Sequence, residues 1–201
     1  MGCCTCKVST IIYCILQCLS LVFTVLGTAF GQYKLKSDTQ NADGDMNWDG
    51  YVKDDYCVTL WGAKDKCYSG GYSKASTKDF YKGCPNRQKR FRAAEVLSII
   101  SIVLIALAAI FGFISLCCCS CLRVVCLILG IITVGTLCVV WAMVADSFNN
   151  KHDDFNIAAV VDANSYCGKL QPIYNYDAGF ALLIVGWALQ FINCIIVMLP
   201  C

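Results

Sequence analysis

Cysteines are the residues of this chain best equipped for chemistry, and its polar segments hold four of them at wide spacing: Cys57, Cys67, Cys84 and Cys167. An even number of well-separated cysteines is typical of disulfide bonding in an oxidising compartment. A Cys57–Cys67 bridge would close a small loop and stabilise it by roughly 3 kcal/mol on the chain-entropy account. The Cys84–Cys167 pair would then tie two loops together. Four cysteines allow three pairings, and four free thiols are the alternative to all of them.

A second group of cysteines is crowded at the ends of apolar runs: Cys3, Cys4, Cys6, Cys117, Cys118, Cys119 and Cys121. Neighbouring cysteines cannot easily pair with one another because disulfide geometry is restrictive. Cysteines beside a membrane on its cytosolic face are instead candidates for palmitoylation, and Cys3 and Cys4 are the candidate lipidation sites. The alternative is that these thiols stay reduced and unmodified.

Catalytic chemistry has little support in the sequence. The only histidine is His152, in a segment rich in Asp, where a lone histidine is nearly always solvated. The chain has no HExxH motif, no phosphate-binding glycine loop and no nucleophile with a visible base. Residues 45–52 resemble the front half of a calcium loop, but Tyr56 stands where a bidentate Glu belongs. We predict no enzyme activity, no cofactor and no metal site.

Composition indicates a membrane protein: 58% of the residues are hydrophobic and 15% are charged, against about 25% charged in a soluble protein. The net charge of +2 is too small to indicate a nucleic-acid partner. Four apolar runs, at about residues 8–30, 96–116, 124–144 and 178–199, are each long enough for a helix to cross a bilayer. Since backbone groups in lipid must be satisfied within the segment, these runs are helices.

The lengths of the connections predict the layout. An even number of spans puts both termini and the short turn at 117–123 on one side, and loops 31–92 and 145–177 on the other. In the first loop, residues 56–60 predict a strand, 61–65 a reversal in which Gly62 takes positive φ, and 66–68 the return. We therefore predict an all-α membrane protein of one domain, residues 1–201: a four-transmembrane-helix bundle with a small extracellular β-containing cap from the first loop.

Charge and cysteine placement disagree about the orientation. The basic cluster at residues 87–92 precedes the second span and, by the positive-inside rule, would place the loops in the cytosol. That rule weakens for loops near 60 residues. The crowded cysteines on the termini side and the well-spaced cysteines of the loops favour the opposite arrangement. We predict extracellular loops and cytosolic termini.

Gln17, Gln190 and Asn193 are the notable polar residues inside the spans. Gln190 and Asn193 are three apart, so they share one face of a helix. We predict that these side chains form hydrogen bonds between helices, each worth about 1 kcal/mol. The alternative is a polar pathway for an ion or a small solute, although no carboxylate lies inside the spans to relay protons.

The segment from Cys57 to Cys67 resembles the signature of the amastins, the four-helix surface proteins of trypanosomatid parasites. The matching positions are Cys57, Val58, Thr59, Leu60, Trp61, Gly62, Lys64 and Cys67. Lys66 departs from the pattern, in which acidic, amide or Thr residues are usual. Helix count, loop order and length agree with the family over the whole chain. The layout is more distantly similar to that of claudins, which carry a Trp, a Leu-Trp pair and two cysteines in their first loop.

The resemblance implies a multi-pass protein of the parasite plasma membrane with a structural or recognition role through its extracellular cap. Its partners would be the lipid bilayer and either a second copy of the chain or a host-cell surface component. The alternative function is a channel or transporter for ions or small solutes. Amastins are described as surface glycoproteins, yet no Asn here begins an Asn-X-Ser/Thr acceptor. The aromatic residues suited to anchor a partner are Trp48, Trp61, Tyr51, Tyr56, Tyr68, Tyr72 and Tyr81.

Overall fold

The computed structural model of the chain describes residues 2–36, 57–72, 81, 84–117, 122–151 and 169–198, with the side chains of 2–7 and 117 excepted. Several residues singled out by the sequence lie outside this description: Trp48, Tyr51, Tyr56, Cys118, Cys119, Cys121, His152, Cys167 and the side chains of Cys3, Cys4, Cys6 and Cys117. Lipidation at Cys3 or Cys4 therefore stays a prediction, and residues 45–52, which resemble part of a calcium loop, also lie outside the described residues.

Four long helices build the molecule: α1 (Gly2–Ala29), α2 (Pro85–Cys117), α3 (Leu122–Asn149) and α4 (Ala178–Met198). Each contains a stretch long and apolar enough to cross a membrane. Large apolar side chains such as Ile15, Val103 and Ile131 are about half exposed on the outside of the bundle. Water would disfavour so extensive an apolar surface, whereas lipid favours it. The predicted four-span fold with a small sheet is confirmed.

The helices extend beyond their apolar runs. Helix α2 begins at Pro85 rather than near residue 96, and α3 continues to Asn149 rather than ending near residue 144. Pro suits the first helical position because the backbone N–H that it lacks would have no helical partner there. The two extensions contact each other, since Arg90 of α2 forms an ion pair with Asp146 of α3. Hydropathy predicts only the part of a helix that lies in lipid. The polar residues beyond that part stay helical where their side chains find bonding partners.

The described parts of both loops meet in one antiparallel sheet beside the ends of the helices. Its strands are β1 (Gly31–Leu35), β2 (Cys57–Thr59), β3 (Ala63–Lys64) and β4 (Tyr174–Tyr176), in the order β3-β2-β1-β4. Strand β1 lies between the two loops, because Tyr33 pairs with Val58 on one side and with Tyr176 on the other. Since β1 follows α1 directly and β4 leads into α4, the sheet fixes the positions of these two helix ends.

The hairpin of β2 and β3 turns sooner than the sequence suggests. The return strand is Ala63–Lys64 rather than residues 66–68, so the reversal falls at residues 60–62. Gly62 takes a φ of 155°, positive as predicted and rarely adopted by residues that carry a Cβ.

The main core lies between the sheet and the neighbouring helix ends. Tyr33 is fully buried, and its ring stacks on Phe148 with centroids 5.5 Å apart and meets Phe91 edge-on at 6.3 Å. The Tyr33 hydroxyl donates a hydrogen bond to Val144 O at 2.6 Å. The polar end of this ring is therefore satisfied inside an apolar core. Burial of these aromatic rings holds the cap on α2 and α3.

Candidate functional site

The β2–β3 hairpin is a well-defined turn because one threonine completes its hydrogen bonds. Thr59 Oγ1 accepts a hydrogen bond from the Trp61 N–H at 3.2 Å and donates to Gly62 O at 3.0 Å. The Thr59 N–H donates to Gly62 O as well, at 2.7 Å. Leu60, within the turn, is fully buried in the cap core. Four of the signature positions, Thr59 to Gly62, thus build the turn itself.

Lys64 connects the hairpin to α1. Its Nζ donates to Ala29 O at 3.4 Å and lies 4.7 Å from the centroid of the Tyr72 ring. Ala29 is the last residue of α1, where carbonyls without helical partners make the helix end partly negative. A buried ammonium group at this place stabilises both the helix end and the hairpin. Lys66, the irregular position of the signature, is exposed, so packing does not require a particular type of side chain there.

Cys57, Cys67 and Asp177 converge at the base of the hairpin. Their two sulfur atoms and one carboxylate oxygen all lie within 4.8 Å of one another. Both cysteines are buried, and the Cys57 thiol is hydrogen-bonded to Cys67. Burial, followed by Cys67 and the Asp177 carboxylate, raises the pKa of the Cys57 thiol, while Lys64 opposes this increase. The two sulfurs are close neighbours, and the Cys57–Cys67 disulfide stays a prediction.

Asp177 is the member of this cluster that sequence reasoning missed. Its backbone O accepts hydrogen bonds from the N–H groups of Phe180 and Ala181, which is the N-cap position of α4. Its own N–H donates to Gln32 O at 3.0 Å. The Asp177 Oδ2 atom is buried and has no hydrogen-bond partner among the described residues. The sequence signal was an Asp directly before an apolar helix, which predicts a cap but no contact with Cys57.

Cys84 is disulfide-bonded and directly precedes Pro85 at the start of α2. Cys167, its predicted partner, lies outside the described residues. A bond between them would attach the second loop to the base of α2. The Cys84–Cys167 pairing stays a prediction.

The aromatic residues of the cap divide into a buried set and an exposed set. Tyr81 is 2% exposed, and its ring centroid lies 4.8 Å from that of Phe91, so it serves the core of the cap rather than an interface. Trp61 is partly buried and packs against the same core. Tyr68 is 72% exposed and Tyr72 is 36% exposed. In the described part of the first loop, the exposed rings thus follow the hairpin directly. Tyr176 of β4 is 40% exposed as well, but its ring stacks on Phe148 and Phe180.

The polar residues of the spans connect α1, α2 and α4. Asn193 Nδ2 donates to Gln17 Oε1 at 2.7 Å, and Gln17 Nε2 donates to Ile105 O at 3.2 Å. Beside them, Ser20 Oγ donates to Gln190 Oε1 at 3.2 Å. All four polar side chains are fully buried. Ser20 was missed because serine is common in spans and gives no signal of its own.

The family described as amastin surface glycoprotein has a model that matches residues 18–197, nearly the whole chain. No curated protein and no solved structure matches this chain. The matched range contains the four strands, the hairpin and the polar residues between the helices. The match therefore covers cap and bundle together.

Proposed function

Since the chain belongs to the amastin family, we propose that this multi-pass surface protein recognises a host-cell surface component through its cap. The binding segment is residues 65–72, called here the tyrosine segment. The observation that carries the proposal is the 72% exposure of Tyr68, a large aromatic side chain directly after a fixed hairpin. Aromatic residues that protrude from a rigid support are typical centres of protein recognition.

The composition of the tyrosine segment suits recognition. Asp65, Lys66, Tyr68 and Tyr72 are exposed, and the glycines at 70 and 71 have open space beside them. Tyrosine supplies a large, stiff contact area with few rotatable bonds, so it loses little conformational entropy on binding. The small neighbours Gly70 and Gly71 leave open space between the two rings.

The base of the segment is held in place, which lowers the ordering cost of binding. The Tyr68 ring meets Phe30 at the end of α1 edge-on, with centroids 6.4 Å apart. The Tyr72 ring lies under the Lys64 ammonium. Cys67 is buried in between. A partner would therefore meet two preoriented rings.

We further propose that the cap faces the outside of the plasma membrane and that both termini are cytosolic. The disulfide at Cys84 supports this orientation, because disulfides persist in oxidising compartments. An impermeant thiol reagent applied to intact cells should label loop cysteines only after reduction. Labelling of the cysteines at 117–121 in intact cells would contradict the orientation.

The recognition proposal is tested by adhesion of cells that display the protein to host cells. The double variant Tyr68→Ala/Tyr72→Ala should lower adhesion at least about fivefold, which corresponds to a loss of about 1 kcal/mol. The amount of protein at the surface must be equal in all samples. Unchanged adhesion would sink the proposal. Loss of self-association without loss of adhesion would show that the partner is a second copy of the chain.

Asn175→Ala is the matched control. Asn175 is exposed on β4, the edge of the sheet opposite β3. Its replacement should leave adhesion unchanged, because β4 is the edge strand opposite β3, from which the tyrosine segment follows. Trp61→Ala should instead lower folding stability, since Trp61 packs against the cap core.

A second candidate function, conduction of small polar solutes, is favoured by one observation inside the bundle. Gln190 Nε2 and Asn193 Oδ1 are buried and have no hydrogen-bond partner among the described residues. Such groups favour a polar occupant, because an unpaired polar group in an apolar interior is costly. Purified protein in vesicles would then give a selective flux that Gln190→Leu abolishes. Absence of flux would leave recognition as the function.

A further inference from the structure

We propose that Cys57, Cys67 and Asp177 form a binding site for a divalent cation of the zinc type when the two cysteines are reduced. The site joins the hairpin to the start of α4. The sequence predicts no metal site here, because Asp177 lies far along the chain from both cysteines.

The geometry of the three groups suits such an ion. Their ligand atoms all lie within 4.8 Å of one another. In a tetrahedral zinc site, bonds of about 2.3 Å to sulfur and about 2.1 Å to oxygen place neighbouring ligand atoms roughly 3.6–3.8 Å apart. Three protein ligands leave a fourth position open, as in many zinc sites that also bind a small molecule.

The burial of the groups points to a ligand. Asp177 Oδ2 is buried without a hydrogen-bond partner among the described residues, although it can accept hydrogen bonds. A buried carboxylate without a partner is costly, and a cation relieves that cost. Gly31 keeps the place open, since a Cβ there would contact Asp177 Oδ2 and would lie 3.2 Å from Cys57 Sγ.

The charges of the surroundings select a divalent ion. Two thiolates and one carboxylate carry three negative charges. The Lys64 ammonium acts on Cys57 electrostatically and supplies one positive charge, so a divalent cation makes the cluster neutral. Thiolate ligands favour zinc over the harder magnesium and calcium ions. A Cys57–Cys67 disulfide would remove both sulfur ligands, so cation binding and the disulfide exclude each other.

The test uses the full chain in detergent, with Co²⁺ as the spectroscopic probe and Zn²⁺ as the competitor. The protein is reduced and the reductant is removed without air. The crowded cysteines are replaced by serine so that they cannot bind the probe: Cys3, Cys4, Cys6, Cys117, Cys118, Cys119 and Cys121. We expect one Co²⁺ per chain, with thiolate-to-cobalt charge-transfer absorption that Zn²⁺ abolishes. Absence of this absorption would overturn the proposal.

Matched variants locate the ion. Cys57→Ser and Cys67→Ser should each abolish the charge-transfer absorption. Asp177→Asn should weaken binding at least about tenfold, and it keeps the helix cap because Asn is also a favoured N-cap residue. Asp65→Asn removes an exposed carboxylate two residues from Cys67 and should leave the charge-transfer absorption and the affinity for Co²⁺ unchanged. Equal effects of Asp65→Asn and Asp177→Asn, or absorption that survives Cys57→Ser, would overturn the proposal.

Variants of the three ligands could lose the ion only because they misfold, so one measurement keeps all three ligands in place. Zinc X-ray absorption on the same reduced chain should show two sulfur ligands and lighter ligands for the remainder. Four sulfur ligands, or none, would contradict the site.

Discussion

The hairpin and the core of the bundle bury polar groups in opposite ways. In the hairpin, Thr59 bonds to Trp61 and Gly62, its neighbours two and three residues along the chain. In the bundle, Asn193 bonds to Gln17 across a separation of 176 residues. The hairpin therefore carries its hydrogen-bond partners within one short segment, whereas the bundle acquires them only when the helices assemble.

This difference has an energetic consequence. Without the Thr59 hydroxyl the Trp61 N–H would lose its hydrogen-bond partner, a loss of about 1–3 kcal/mol. An amide side chain of a helix that has not yet packed in the membrane also finds other hydrogen-bond partners. The net contribution of a hydrogen bond between packed helices therefore averages only about 0.6 kcal/mol. We expect the local hydrogen bonds of the hairpin to contribute more stability than the distant ones of the bundle.

The largest effect should come from Gly179, at the junction of the two regions. A Cβ at this position would lie 2.6 Å from both Gly31 O and Phe30 O, which are backbone atoms that cannot yield easily. Gly179→Ala should therefore destabilise the protein by about 3 kcal/mol through overpacking. Chemical unfolding of the detergent-solubilised protein measures the change.

Gly135→Ala is the control for that substitution. No atom lies within 4 Å of the Cβ position at Gly135 in α3. Since Ala favours a helix over Gly by about 1 kcal/mol, this variant should be neutral or slightly more stable. Equal destabilisation by both variants would show that the junction is no tighter than the outside of the bundle.

Thr59→Val should lower stability by about 2 kcal/mol, the cost of leaving the Trp61 N–H without its partner inside the hairpin. Valine keeps the shape of the side chain and removes the hydroxyl. Thr59→Ser keeps the hydroxyl and should lose far less, and unfolding of the two variants side by side separates the hydrogen bonds from packing. The comparison would be reversed if Thr59→Val lowered the free energy of unfolding by less than Gln17→Leu or Asn193→Leu in the bundle.

The Gln17–Asn193 pair should contribute about 0.6 kcal/mol. A double-mutant cycle with Gln17→Leu, Asn193→Leu and the double variant isolates this interaction from the effect of each replacement. A coupling energy above about 2 kcal/mol would place the bundle above the hairpin and refute the expected order.

Lys64→Met should have a small effect as well, a loss of about 0.3–1 kcal/mol that is comparable to the Gln17–Asn193 coupling, because it removes a cation from the end of α1. Methionine keeps the length of the buried chain. Lys66→Met serves as the control, since Lys66 is exposed, and its effect on the unfolding free energy should be near zero. Equal losses from both variants would show that Lys64 does not act through the helix end.

Much of the fold followed from the chain alone because its physical causes are local. Runs of about 20 apolar residues predict spans, and the hairpin segment predicts both the turn and the family. The bounds of the hairpin and of α2 did not follow. Arg90 extends α2 by pairing with Asp146 of a different helix, and no pattern around Arg90 contains that partner.

The candidate site was predictable only in part. The two cysteines stand in one segment, so their proximity could be anticipated from a hairpin. Asp177 enters from the second loop because β4 pairs with β1 and places the start of α4 beside Gly31. The exposure of Tyr68 and the burial of Tyr81 likewise depend on where the core lies, because both are tyrosines in polar surroundings.

The sequence by itself determined the membrane class, the number of spans, the turn at Gly62 and the family, since each depends on residues that are neighbours along the chain. Only the tertiary structure decided that Lys64 caps α1, that Asp177 joins the two cysteines and that Gln17 meets Asn193. The physical reason is that these contacts join groups from different elements. Their energies arise only after the helices pack and the two loops share one sheet.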